Sequence, residues 1–272
     1  MPSIDAYLRG QALYGDDLDT DGIRKWFEEE EQGYFELANA DAAYDYSYHA
    51  LNRMHAFRYL KGHFDRCLAF GCARGDELIP LQGRVGEIVA IEPARQWWSD
   101  RIGDIPARYL MPQMSGDIAL DDNSVDLITC FGVLHHIPNV SHVLRELSRV
   151  ARPGAVFLLR EPINSMGDWR KPRRGLTRNE RGLPQRWLEK TLADVGFVTE
   201  RRARCALNPL TKVMLKLGVK QPYARPSLVA ADWLASTLLS FNVHYQRDNL
   251  WKKLGPSSIS YVLRRTSAGK EG

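Results

Sequence analysis

Short apolar-rich segments fall at 66–70, 87–91, 107–111, 125–131 and 155–160. Runs of that length bounded by turn residues read as strands covered on both faces. Between them the period changes to that of a helix. Val143, Leu144, Leu147 and Val150 share one face of a predicted helix over Ser141–Val150. The stretch Gln185–Val195 repeats the pattern and ends at Gly196, a residue suited to the left-handed position that closes a helix. Arg152-Pro153-Gly154 separates the earlier helix from the strand after it. Two more strands are predicted at Phe197–Arg201 and Ile259–Arg264, with a stretch of helical character, 206–250, between them. Ahead of the first strand, Asp19 or Thr20 caps a helix that turns Ile23, Trp26 and Phe27 inward and Glu28 to Glu31 outward. A second helix is expected over Ala42 to Leu60, with Tyr44, Tyr48, Leu51, Met54 and Phe57 on an aromatic-rich face. No internal repeat or low-complexity tract interrupts the chain.

Strand alternating with helix at this spacing predicts an α/β fold, a doubly wound parallel sheet. At 272 residues and 44% hydrophobic composition, the chain can bury one substantial core with an appended subdomain. A net charge of +4 is too small to demand a nucleic-acid partner. Cys67, Cys72, Cys130 and Cys205 are scattered without metal-ligand spacing, so reduced thiols, a cytoplasmic location and no metal site are expected. The N-terminus lacks a basic-then-apolar signal region. The longest apolar stretch, Ser227–Phe241, contains Asp232 and falls short of the roughly 20 residues a membrane span needs.

The chemistry concentrates where strands end. The first predicted strand runs directly into Gly71-Cys72-Ala73-Arg74-Gly75, a small-residue turn that lets a ligand approach the backbone closely. The second ends in Glu92, an acid able to accept both hydroxyls of a ribose. A third segment, Asp126–Asn139, carries a strand into Leu-His-His-Ile-Pro-Asn. Together they point to a nucleoside cofactor across the carboxyl ends of parallel strands, and so to an enzyme. Gly71, Cys72, Ala73 and Gly75 would line that cofactor, with a helix N-terminus beyond them favouring its carboxylate.

In order and spacing, these motifs resemble class I S-adenosylmethionine-dependent methyltransferases over roughly residues 60–205. Leu68–Gly75 is similar to the first motif of that family, Ile91-Glu92-Pro93 to the second, and Asp122–Ile128 to the segment leading into the fourth strand. Leu134–Asn139 and Arg149–Gly154 resemble the motifs that follow. Arg160–Ile163 with Ser165–Arg170 is similar to methyltransferases that accompany bacterial surface-polysaccharide genes. The resemblance implies a Rossmann-like, seven-stranded, mostly parallel sheet with the last strand antiparallel. It also implies a single domain organised as an N-terminal helical cap (1–62), a cofactor-binding core (63–205), a helical insertion over the acceptor site (206–258) and a last strand with its tail (259–272). By the same resemblance Pro93 belongs to the cofactor site, Met114 and Ser115 (with Asp117 as rival) fall near adenine, and Cys130 and Phe131 face the donor sulfur. Two residues depart from the pattern: Ala69 stands where the family carries an acid, and Ala73 where it carries a glycine.

In this family the loop after the fifth strand meets the acceptor. Here Glu161 to Pro184 is rich in directed groups, among them Trp169, Arg170 and Arg173. Guanidinium forks suit phosphate oxygens and an indole offers a stacking face, so the expected acceptor is a small molecule or glycan, anionic in character, such as a sugar or nucleotide-sugar. Tyr245, beside His244, would add to that pocket. An alcohol acceptor needs its proton removed, and His136 or Glu161 is the expected base, with Asp168 and His244 in reserve. Of His135 and His136, one can face substrate while the other packs against or caps the following helix. An N-methyl acceptor and a non-catalytic binding module are the alternatives, the latter suggested by Ala69 and Ala73. A nicotinamide oxidoreductase would want Gly-x-Gly-x-x-Gly, which Gly71 and Gly75 do not supply. A nucleic-acid enzyme would show a far more basic face. A homodimer is left open.

Overall fold

The computed structural model describes residues 2–38 and 46–266. Its eight strands are β1 (Phe64–Phe70), β2 (Val85–Ile91), β3 (Arg101–Ile102), β4 (Ile105–Leu110), β5 (Val125–Phe131), β6 (Ala151–Pro162), β7 (Phe197–Cys205) and β8 (Ser258–Arg265). They form one sheet in the order β3-β4-β2-β1-β5-β6-β8-β7. Strands β4, β2, β1, β5 and β6 are parallel neighbours, whereas β8 runs antiparallel between β6 and β7. This is the doubly wound, mostly parallel sheet with a reversed last strand. The eighth strand is additional to the expected seven. β3 pairs antiparallel with β4, Arg101 opposite Pro106 and Ile102 opposite Ile105, across Gly103-Asp104. Gly103 adopts φ +61°, the backbone such a two-residue hairpin needs.

Side chains on β1 alternate between two apolar layers. Leu68 and Phe70 join one layer with α4 (Val140–Val150) and α5 (Gln185–Asp194), while Cys67 and Ala69 join the other with Ala56, Phe57, Leu78 and Leu81. Helix α4 buries Val140, Val143, Leu144, Leu147 and Val150, each burial contributing about 1.5–3 kcal/mol. Gly196 closes α5 with φ +87°.

Three helical expectations change. The segment after Gly75 is a 3-10 helix, Asp76–Leu81, containing Pro80. Pro80 has no N–H for an α-helical bond, and so short a turn offers little dipole to a carboxylate. Tyr46–Tyr48 are not helical, and α3 (His49–His55) gives way to a 3-10 turn, Phe57–Tyr59. The expected Ala42 start and Tyr44 lie outside the described residues. In α2 (Thr20–Ala38), entered through an Asp19 Oδ1 bond from Gly22 N (2.9 Å), Trp26 is buried as expected but so is Glu30. The two residues are one helical step apart and share a face. Of the outward residues, Glu31 is not among those whose side chains are described. A short N-terminal helix, α1 (Ile4–Leu8), precedes α2.

Residues 206–250 contain α6 (Asn208–Lys216) and α7 (Pro226–Leu238). α7 is oriented against its own polarity. Its buried residues are Val229, Asp232 and Ser236, while Trp233, Leu234 and Leu238 face outward. Asp232 decides this, because its carboxylate accepts Ala206 N–H (2.9 Å) and Leu207 N–H (2.7 Å) at the end of β7. No helix among the described residues is long and apolar enough to cross a membrane.

Candidate active site

The chain builds β1, β2 and β4 outward in one direction, then places β5 on the other side of β1. The gap at that reversal is where α/β sheets hold ligands. Two turns meet there. Gly71 (φ +70°) leaves β1, and a Cβ on it would meet Val133 side-chain carbons at 2.6 Å. Ala73 and Gly75 are also left-handed, at φ +49° and +79°. Glu92, at the end of β2, ties the turn down: its Oε2 accepts Ala73 N–H (2.9 Å) and its Oε1 accepts Ala94 N–H (3.0 Å). Each oxygen retains a second acceptor position for a ribose hydroxyl. Burial raises the Glu92 carboxyl above its ordinary pKa, and the two N–H groups oppose that. Tyr109 O–H donates to Ala73 O (3.2 Å) and stacks on Trp98, whose indole N–H donates to Glu92 O (3.0 Å).

These residues fit the adenosyl end of S-adenosylmethionine: a glycine where a side chain would collide, and an acid at the neighbouring strand end. The fit is poorer at its amino end, because Ala69 is fully buried and apolar where an acid would stand. Cys72 is buried beside the turn and Pro93 is exposed beyond Glu92. Cys130 and Phe131 are buried, their side chains in opposite apolar layers. Met114 and Ser115 lie on an exposed loop. Ser115 O accepts from Asn139 Nδ2 (2.7 Å), and Asp117 is held by Ser115 Oγ (2.8 Å) and His142 (2.7 Å).

The second half of the site is a buried polar hub. Glu161, at the end of β6, has no exposed surface; its Oε1 accepts the N–H groups of Val133 (2.9 Å) and Leu134 (2.8 Å), and its Oε2 meets His135 Nδ1 at 2.8 Å. Burial raises its pKa, but His135 and the two N–H groups outweigh that and hold it below the ordinary range. Glu161 is thus enclosed, with both of its oxygens engaged by the 133–135 segment. His135 Nε2 faces Glu180 Oε1 at 3.7 Å, and its ring lies 4.0 Å from that of His136. His136 Nδ1 is 3.4 Å from Glu30 Oε2, while Glu30 also accepts from Thr177 Oγ1 (2.6 Å) and Asn179 N–H (3.0 Å). Burial and the neighbouring His135 lower the His136 pKa, so the ring is neutral at neutral pH. One ligand-type atom each from His135, His136 and Glu180 falls within 4.8 Å of the others, a grouping that cysteine spacing gave no reason to expect.

Arg181 clamps the hub. Fully buried, it donates to the carbonyls of Tyr14 (2.9 Å), Leu134 (3.2 Å), His135 (2.9 Å) and Ile137 (2.9 Å) and lies over the Trp26 ring. Trp26 in turn donates to His136 O at 2.7 Å. The basic loop is thus largely committed to the protein itself. Trp169 is buried and stacks on Tyr14 at 4.5 Å, so it does not present a free face to an acceptor, as expected of it. Asp168 and Arg170 form a two-bond pair (2.8 and 2.7 Å) that depresses the Asp168 carboxyl to about 2, leaving a poor base. Arg173 donates to the carbonyls of Met166, Thr177 and Arg178. Tyr245 O–H donates to Gly182 O (3.0 Å) and Tyr245 O accepts Ser165 N–H (2.7 Å), which joins it to the acceptor loop. His244, half-buried, offers its carbonyl to Arg247 (3.4 Å). Glu30, Thr177 and Glu180 are the participants that sequence reasoning missed; the Trp26–Glu30 spacing was the signal for the first.

Residues 68–159 match the model of the methyltransferase domain family. The whole fold is similar to that of the 4+2 cyclase SpnF (TM-score 0.55, 14% identity, covering 92% of this chain and 98% of that one). It is also similar to the YcgJ protein of Bacillus subtilis (TM-score 0.51, 17% identity, 81% and 99%). A third similar structure is a Listeria monocytogenes protein assigned as an S-adenosylmethionine-dependent methyltransferase (TM-score 0.51, 10% identity, 87% and 99%). At these identities the structural likenesses establish the fold, and a cyclase among them illustrates that the fold alone does not set the reaction. The domain match places a methyltransferase-type core at residues 68–159.

Proposed function

We propose that this protein transfers the methyl group of S-adenosylmethionine to a hydroxyl of a small-molecule or glycan acceptor, a sugar or nucleotide-sugar. The observation that carries the cofactor half is the bond from Ala73 N–H to Glu92, which joins two nucleoside-type strand ends into one cradle at the sheet's reversal. Gly71, Cys72, Ala73 and Gly75 would hold the donor closely, with Glu92 and Pro93 at its ribose, Met114 and Ser115 toward adenine, and the Cys130–Phe131 backbone toward its sulfur. S-adenosylmethionine supplies a methyl group on a sulfonium, already bonded to a good leaving group.

The chain's own task is to align the acceptor and take its proton. His136 is the base in this reading. Its ring is neutral at neutral pH, and Glu30 Oε2, 3.4 Å from Nδ1, stabilises the cation formed when the ring gains a proton. Glu161 holds the backbone of 133–134 and the adjacent His135 in place. Arg170, Arg173, Tyr245 and His244 border the acceptor side. Incubating the enzyme with methyl-labelled S-adenosylmethionine and a panel of nucleotide sugars and lipid-linked glycans should label at least one hydroxyl. His136→Ala should slow that transfer by about 10²–10⁴-fold. Labelling confined to amine acceptors, or wild-type turnover in His136→Ala, would overturn the reading.

A further inference from the structure

We propose that the face formed by α6, α7 and residues 241–254 docks on an anionic membrane surface. Large apolar side chains are concentrated there in the open: Leu217 is 77% exposed, Leu238 67%, Phe241 70% and Leu250 81%, joined by Trp233 and Trp251. Two of them are direct neighbours, and α6 lies against the Lys252–Leu254 turn that follows Trp251. The Phe241 and Trp251 rings lie 6.3 Å apart, and Asn242 Nδ2 donates to Trp251 O at 2.7 Å. A surface patch of this kind marks an interaction site.

The exposure is built in. Asp232 and Ser236 occupy the inward face of α7, and the two backbone bonds accepted by Asp232 hold the helix in that rotation. Turning the apolar face inward would break both bonds and strand two buried N–H groups.

Charge selects the occupant. Residues 206–258 hold seven Lys and Arg against two Asp, one of them the buried Asp232, whereas the rest of the chain holds thirty Lys and Arg against thirty-one Asp and Glu. Lys212, Lys216, Lys220, Arg225 and Lys253 are all exposed. Two such faces would repel each other across a dimer. Apolar and indole groups rimmed by lysine instead suit the boundary between headgroups and acyl chains of an anionic bilayer. The patch also adjoins the acceptor loop, since Tyr245, four residues beyond Phe241, bonds to Ser165 and Gly182. The docking itself does not depend on the methyl-transfer reading.

The test is co-sedimentation of the full chain with vesicles of phosphatidylcholine alone or with 30% phosphatidylglycerol, an amount on the order of natural anionic surfaces. Binding is expected to the anionic vesicles and to fall as salt rises. The triple variant Leu238→Ser, Phe241→Ser, Trp251→Ser should bind at least about tenfold more weakly, and Lys212→Glu with Lys216→Glu likewise. All these residues are exposed, and an unchanged thermal midpoint would confirm that the variants fold. Failure to sediment with anionic vesicles, or equal binding by the triple variant, would overturn the proposal. So would a solution dimer that the same triple variant dissolves, because the face would then be a self-interface.

Discussion

Two buried carboxyl groups of this protein sit in opposite electrostatic settings. Glu161 has donors on both oxygens and stays ionised, whereas Glu77 is buried with Oε1 lacking a hydrogen-bond partner and is pushed up to about 8, mainly by burial against the opposing pull of Arg160. A folded-state pKa above the unfolded value means that the stability tied to Glu77 is complete below about 4.5 and is lost as pH rises through about 8. Glu77→Gln removes that dependence. Denaturant melts at pH 5 and pH 9 should therefore find the variant gaining on the wild type by on the order of a few kcal/mol across that range. Parallel pH profiles for the two proteins would mean that Glu77 is ionised in the fold. Glu77 and Glu161 are indistinguishable by residue type. Their difference comes from partners supplied by the 133–135 segment to Glu161 and from burial opposed by Arg160 of β6 at Glu77, which no local pattern records.

At the scale of elements, α4 and α7 illustrate opposite outcomes. The apolar stripe of α4 predicted both its existence and its buried face, because the hydrophobic term and the helix period agree there. For α7 the same logic points the wrong way round, since two hydrogen bonds to Asp232 outrank the burial of Leu234 and Leu238. Asp232→Ala should leave Ala206 and Leu207 N–H unpaired and cost about 2 kcal/mol or more. Hydrogen exchange at those two amides, measured against the β1 amides as an internal standard, should accelerate selectively. Unchanged protection would show that α7 is held by other contacts. The 3-10 segment Asp76–Leu81 is a milder case, in which a helical pattern was legible but Pro80 prevented a full α-helix.

At the scale of the molecule, the reversal of strand order between β1 and β5 brings Gly71, Glu92 and the 133–136 segment to one sheet edge, although they are separated by up to 65 positions. If that edge holds the donor, S-adenosylmethionine at 100 times its Kd should stabilise the folded chain by about 2.7 kcal/mol. The rise in thermal midpoint should largely disappear in Glu92→Ala. A midpoint that S-adenosylmethionine leaves unmoved in the wild type would overturn the cofactor assignment.

The strand–helix alternation, the glycine turn after β1 and the acid ending β2 are legible in local stretches of the chain. Each of these rests on period, backbone freedom or position within a few residues. Even the unforeseen β3 hairpin left a local trace in Gly103-Asp104. Long-range packing is what makes Glu161 brace a loop, stacks Trp169 inside the protein on Tyr14, and brings Glu30 and Glu180 to the two histidines. Those outcomes depend on groups more than 25 and up to about 155 residues apart in the chain meeting in a space that excludes water. There a carboxylate takes its role from the donors around it, and sequence spacing carries no record of them.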